Sequence, residues 1–147
     1  MATRTDPRGM SCSVERTITV LGDRWSLLVL REAALGTTRF SDFPSRLGIA
    51  GDVLSDRLSA LVRHGVLERA EYREEGSRTR AEYRLTDAGR SFEVVLGALG
   101  GWGREHLPAD VERGVRYRDA AGRPVRVAFV DESGAVLGPD EVVVSRD

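Results

Sequence analysis

The sequence predicts a mainly α-helical chain carrying a small β-ribbon, an α+β class. Three observations predict it. Leu54, Leu58, Leu61 and Val62 repeat at the i, i+4, i+7, i+8 spacing of one buried helical stripe. Gly65 follows at once, where a helix ends on a left-handed residue. Two short alternating segments, 66–72 and 81–85, then flank a polar turn over 73–80 that contains Gly76. A helix running straight into a two-stranded ribbon, with Arg78 and Arg80 at the tip, is the layout of a winged helix-turn-helix. Such a helix fits a DNA major groove, and the ribbon reaches an adjacent minor groove or phosphates.

The elements before that stretch follow in order. Residues 1–11 are polar, include Pro7 and Gly9, and read as a loose arm. Ser13 can cap a helix over 14–21, with Val14, Ile18 and Leu21 on one side. Gly22 breaks it, and Asp23 can cap the next helix, 24–35. Trp25, Leu27, Leu28, Val29 and Leu30 make that helix apolar nearly all round, which implies central burial. Gly36 marks a turn, and 38–40 can pair as a short strand against the ribbon. Ser41 opens a third helix over 42–47, with Phe40, Phe43 and Leu47 inward and Pro44 in its first turn, where a missing N–H does no harm. Gly48 closes it, and 49–51 is the tight turn into the groove helix over 52–64. On that helix Asp52, Ser55, Asp56, Ser59 and Arg63 lie opposite the apolar stripe.

After the ribbon, Thr86 can cap a helix running to about His106, with Phe92, Val95, Leu96, Leu99, Trp102 and His106 as its stripe. Gly97, Gly100, Gly101 and Gly103 each lower its intrinsic stability by about 1 kcal/mol relative to Ala. Packing must compensate, and a partner helix is one source; a break near Gly100 is the alternative. Beyond Pro108 the pattern changes to strands at 115–118, 125–130 and 141–144, joined by turns at 119–122 and 131–134. The expected organisation is an arm over 1–11, a winged-helix domain over 12–107 and a small β-rich appendage over 108–147.

Composition narrows the function. The chain has 147 residues, 31% of them charged, with a net charge of −1. A globally basic surface is excluded, so any nucleic-acid face is local. All 22 basic residues are Arg, and Lys, Asn and Gln are absent. Bidentate adenine reading by Asn or Gln is therefore unavailable, and base contacts fall to Arg, Ser, Thr, Asp or water. The single cysteine permits no internal disulfide and no Cys-rich zinc site. No run of about 18 apolar residues spans a membrane, and the first residues lack the apolar core of a secretory signal. A cytoplasmic protein without metal or cofactor is expected. No catalytic Ser/His/Asp or Cys/His set and no phosphate loop is visible, so no enzymatic role is expected.

The motifs Cys12-Ser13-Val14-Glu15-Arg16, Leu21-Gly22-Asp23-Arg24-Trp25, Arg39-Phe40-Ser41-Asp42-Phe43, Val53-Leu54-Ser55-Asp56-Arg57-Leu58 and Glu82-Tyr83-Arg84-Leu85-Thr86 closely resemble the HxlR-type family of bacterial, MarR-like winged-helix transcriptional regulators. The resemblance runs from about residue 12 to 107. It implies a homodimer built from the first and last helices, Val14, Ile18, Leu96, Leu99 and Trp102 among the contacts. It also implies a partly palindromic operator with one groove helix per half-site. The family's Ser-Pro-Lys-like helix start is replaced here by Ala50-Gly51-Asp52. Asp52 either accepts from a cytosine N4 or pairs with an Arg.

The expected DNA-facing residues are Arg39, Ser41, Asp52, Ser55, Asp56, Ser59, Arg78 and Arg80. Arg57, beside the stripe, reads as an internal ion-pair partner. Cys12, before the first helix, has two readings. One is a redox sensor, its thiolate favoured by the helix start and Arg16, as the resemblance suggests; the other is a small hydrophobe at the dimer seam. The expected partners are double-stranded DNA, a second copy of the chain and a small-molecule or redox effector. A winged-helix protein-interaction module with weak or no DNA binding is the competing reading.

Overall fold

The computed structural model describes residues 6–107, 109–111 and 113–146. The first five residues of the predicted arm, and Pro108 at the predicted start of the appendage, lie outside the described residues. The chain divides into two compact units, Met1–Leu96 and Gly97–Asp147.

In the first unit, residues 6–11 of the arm contain a short turn. Asp6 accepts from the Arg8 N–H and caps a 3-10 turn at Pro7–Gly9. The helices are α1 (Ser13–Leu21), α2 (Arg24–Ala34), α3 (Asp42–Leu47) and α4 (Gly51–Arg63). The ribbon is β1 (Leu67–Tyr72) paired antiparallel with β2 (Arg80–Leu85), in register from Leu67 opposite Leu85 to Tyr72 opposite Arg80. Val29, Leu30, Phe43, Leu54, Leu58, Leu61 and Leu67 form the buried centre, with Trp25, Phe40, Phe92 and Leu96 packed against it. Leu54, Leu58 and Leu61 are fully buried, as the helical spacing requires.

Local chemistry explains the element ends. Asp23 caps α2, accepting from the Trp25 and Ser26 N–H groups. Gly48 (φ 66°) and Gly65 (φ 71°) adopt the left-handed conformation that closes α3 and α4. Ser13 does not cap α1; it is the helix's first residue, and Cys12 occupies the cap without a side-chain hydrogen bond. The short strand predicted at 38–40 is an isolated bridge: Arg39 pairs with Glu82, and the Tyr83 N–H donates to Thr38 O at 2.7 Å.

The last predicted helix is two helices, α5 (Asp87–Ser91) and α6 (Glu93–His106). The interruption is at Phe92, whose N–H donates to Gly89 O and tightens the last turn of α5. The chain stays helical through Gly100 and Gly101. Thr86 caps α5, accepting from the Gly89 N–H at 3.1 Å, while its hydroxyl lies 2.6 Å from Gly65 O. One threonine thus joins the end of the ribbon, the exit of α4 and the start of α5.

In the second unit the predicted strands are reduced. Among the described residues, 115–118, 125–130 and 141–144 form no ladder; two bridges remain, Arg118 with Pro124 and Val130 with Val136. The turns between them are where predicted, and they are built alike. Asp119 accepts from the Ala121 and Arg123 N–H groups, and Asp131 from those of Ser133 and Ala135. The carboxylates satisfy locally the backbone donors that cross-strand pairing would otherwise take.

Candidate nucleic-acid interface

Burial of Leu54, Leu58 and Leu61 turns the other face of α4 outward. Asp52, Ser55, Asp56 and Ser59 lie there, all exposed, on a helix of 13 residues. At 1.5 Å per residue that helix is about 20 Å long. Its outward side chains are short, so its backbone can approach a groove floor closely. They also bring two carboxylates, Asp52 and Asp56, one turn apart. Asp52 suits the positive end of the helix dipole, but neither carboxylate has a basic partner among the described residues.

α3 leads into α4 through Gly48, and Ser41 precedes α3, exposed, its hydroxyl 3.4 Å from Asp42 Oδ1. Arg46 on α3 and Arg63 at the end of α4 are also exposed.

The ribbon tip turns at Gly76 (φ 76°) and is closed by Arg73, whose Nε donates to Ser77 O at 2.9 Å. Arg78 and Arg80 are exposed and have no ion pair among the described residues. Arg39 differs. Its guanidinium pairs with Glu74 at 2.7 Å and sits 4.7 Å above the Tyr72 ring. It clamps the tip end of the ribbon to the segment before α3, so its charge is already partly compensated. Arg57 is held inward, its Nε 3.2 Å from Asp23 Oδ1.

Val14 and Ile18, one turn apart on α1, are 63% and 61% exposed. In the second unit Leu99 and Trp102 of α6 are 50% and 58% exposed, and the Trp102 ring lies 5.0 Å from that of His106. Leu96 is different, packed against the core of the first unit. Cys12 is an exposed free thiol. Arg16 donates to Met10 O and Ser11 O at 2.8 Å, so its guanidinium is spent on backbone carbonyls beside that cysteine. Among the described residues no three His, Cys, Asp or Glu side chains converge as a metal site would require. No helix among them is long and apolar enough to cross a membrane.

Residues 20–111 match the HxlR-like helix-turn-helix family. The chain belongs to that family. This HxlR-like chain is 44% identical over 96 residues to a protein of Mycobacterium tuberculosis named as an uncharacterized HTH-type transcriptional regulator; the match covers 65% of this chain and 60% of that protein. It therefore spans less than two thirds of that relative. It is 35% identical over 94 residues to YvaP of Bacillus subtilis, likewise named, covering 63% of this chain and 85% of YvaP. The crystal structure of PA1607, described as a proposed transcription factor, is similar with a TM-score of 0.81 and 39% identity, over 97% of this chain and all of that one. The similarity to PA1607 thus extends into residues beyond the family match. The redox regulator HypR in its reduced form is similar at a TM-score of 0.60 and 26% identity, over 66% of this chain and 95% of that one.

Proposed function

We propose that this chain is a sequence-specific DNA-binding transcriptional regulator that acts as a homodimer on a partly palindromic operator. The observation that carries it is α4. Its apolar stripe is fully buried, its short polar face is exposed, and a ribbon with unpaired arginines follows it directly. The groove helix, residues 52–64, enters the major groove and presents Ser55 and Ser59 to base edges or phosphates. Arg78 and Arg80 at the tip, residues 73–80, contact phosphates or the minor groove. Arg39 contributes by holding the ribbon, through Glu74 and Tyr72. The naming of its relatives as HTH-type transcriptional regulators supports the same reading.

Exposed Val14 and Ile18 on α1, and Leu99 and Trp102 on α6, support the homodimer, since apolar side chains this exposed gain by burial against a second copy. Cys12 is the candidate redox sensor: it is an exposed thiol, and the structurally similar HypR is a redox regulator. The deciding experiment is a binding titration on DNA fragments from upstream of the protein's own coding region, repeated over a range of salt. A regulator recovers one palindrome, with affinity falling steeply as salt rises. The competing reading, a protein-interaction module, is favoured by Asp52 and Asp56, which oppose phosphate. It predicts no enriched DNA at any salt.

A further inference from the structure

The second unit folds one turn twice. Val115, Tyr117, Asp119, Gly122 and Val125 recur twelve residues on as Val127, Phe129, Asp131, Gly134 and Leu137. The two copies bond alike. The Val125 N–H donates to Tyr117 O at 3.1 Å and the Leu137 N–H to Phe129 O at 2.9 Å. They differ in what they show to solvent. The bridge between Arg118 and Pro124 sets the register of the first copy, and continued outward it places Arg116 across from Arg126. Arg116, Arg118 and Arg126 then share one face, because side chains two apart along an extended segment, and those directly across from each other, point the same way. The corresponding residues of the second copy are Ala128, Val130 and Gly138.

Tyr117 takes the other face and lies against α6, where a Cβ at Gly97 would meet its ring at 3.4 Å. The arginine face is therefore turned away from α6, and all three arginines are exposed. Residues 113–126 hold five arginines and one carboxylate, Asp119, which is committed to Arg123 at 2.7 Å and to the N–H groups of its own turn. Among the described residues no carboxylate pairs with Arg116, Arg118 or Arg126. Arg118 donates to Gly122 O at 3.0 Å, a bond that leaves its charge uncancelled. Like charges directly across a strand pair destabilise it. A ligand with several closely spaced negative charges relieves that repulsion.

We propose that this arginine face binds the phosphate backbone of duplex DNA. A duplex carries one negative charge per about 1.7 Å of its axis, so guanidiniums about 5–7 Å apart can each meet a phosphate. Phosphate contacts add affinity without sequence preference. The assignment rests on the DNA-binding reading above, and it uses no residue of α4 or of the β1–β2 ribbon.

The test is an anisotropy titration of the full chain on a labelled duplex of mixed sequence, repeated over a range of salt. Arg116→Gln combined with Arg126→Gln should make the slope of log affinity against log salt shallower by about 2 and weaken binding about tenfold at low salt. The matching Lys pair should keep the slope. Arg146→Gln, which removes an exposed charge of the same unit away from that face, should also keep it. A parental slope in the Gln pair overturns the proposal and leaves α4 and the ribbon as the DNA contacts, as does an equal shift per charge from Arg146→Gln. If the parent selects no palindrome yet binds any duplex with a slope that the Gln pair loses, the operator reading fails and this surface stands. No duplex binding by the parent at any salt overturns both. Vesicles containing phosphatidylserine are the second probe: a Gln pair that loses vesicles but keeps the duplex slope assigns the face to a lipid surface and overturns the proposal. If the Gln pair melts below the parent, the Lys pair decides: a retained slope supports the surface, and a lost slope overturns it.

Discussion

Arg57 Nε stands 3.2 Å from Asp23 Oδ1, so the cap of α2 and the middle of α4 share one carboxylate. The same carboxylate accepts from two backbone N–H groups and from the buried Ser26 hydroxyl. Asp23→Ala should therefore cost about 1–2 kcal/mol, most of it the cap. Arg57→Ala should cost less than about 1 kcal/mol, because its side chain is 40% exposed and solvent screens the pair. Urea unfolding of both variants checks the order. Equal losses would mean that the ion pair, not the cap, sets the stability here.

Gly89 admits no side chain. A Cβ there would meet Val66 O at 2.2 Å, a backbone atom that cannot step aside. Gly89→Ala should destabilise the fold by at least about 2 kcal/mol through overpacking, read as a lowered urea midpoint at unchanged slope. A midpoint within error of the parent would show that α5 and the start of β1 can separate freely.

The ribbon arginines should act differently from the groove-helix serines. Arg80→Ala should weaken binding to all DNA sequences alike and make the salt slope shallower by about 1. Ser55→Ala should change sequence preference more than the salt slope. Arg39→Ala should weaken binding indirectly, by freeing Glu74 and the tip end of the ribbon, and should also raise amide exchange in β1 and β2. Binding titrations at several salt concentrations separate the three, and an unchanged slope for Arg80→Ala sinks the ribbon assignment.

Ile18→Asp places a charge on a residue 61% exposed in the single chain. It should leave monomer stability within about 0.5 kcal/mol while abolishing the dimer in sedimentation analysis. A dimer that persists would remove α1 from the interface.

The acidic turns should loosen at low pH. Hydrogen bonds from the Arg123 backbone and side chain hold the Asp119 carboxyl below its ordinary 3.8. At Asp131 the Ser133 hydroxyl does so first, with the Ala135 N–H adding to it. At Asp6 the Arg8 guanidinium lowers the value to about 2. A depressed folded value means the contribution is complete above about pH 4 and lost as pH falls towards 2. Amide protection factors at Ala121 and Ser133, which divide out the intrinsic pH dependence of exchange, should fall as pH drops below about 4 and stay level between pH 5 and 8. Asp119→Asn should show the faster exchange near its own turn already at neutral pH.

Much of this molecule was legible in the sequence wherever information was local. Leu54, Leu58 and Leu61 marked the buried side of α4, Gly48 and Gly65 the ends of α3 and α4, and Asp23 and Thr86 the caps of α2 and α5, because each acts within a few residues of itself. What escaped depended on partners distant in sequence or on local competition. Arg39 is expected among the DNA-facing residues, yet Tyr72 and Glu74, more than thirty positions on, take up its guanidinium. The segments 115–118 and 125–130 have strand-like patterns, but among the described residues they meet at a single bridge, Arg118 with Pro124, and a proline has no N–H to give to a ladder.

The Thr86 junction has a mechanical consequence. Its hydroxyl reaches back to Gly65 and Val66 while its backbone N–H donates to Val66 O and its side chain receives Gly89. Ribbon and α5 are therefore welded at one point, with no slack residue between them. A tilt of the ribbon against whatever it touches must carry α5 with it, like the short arm of a lever whose pivot is a single hydroxyl.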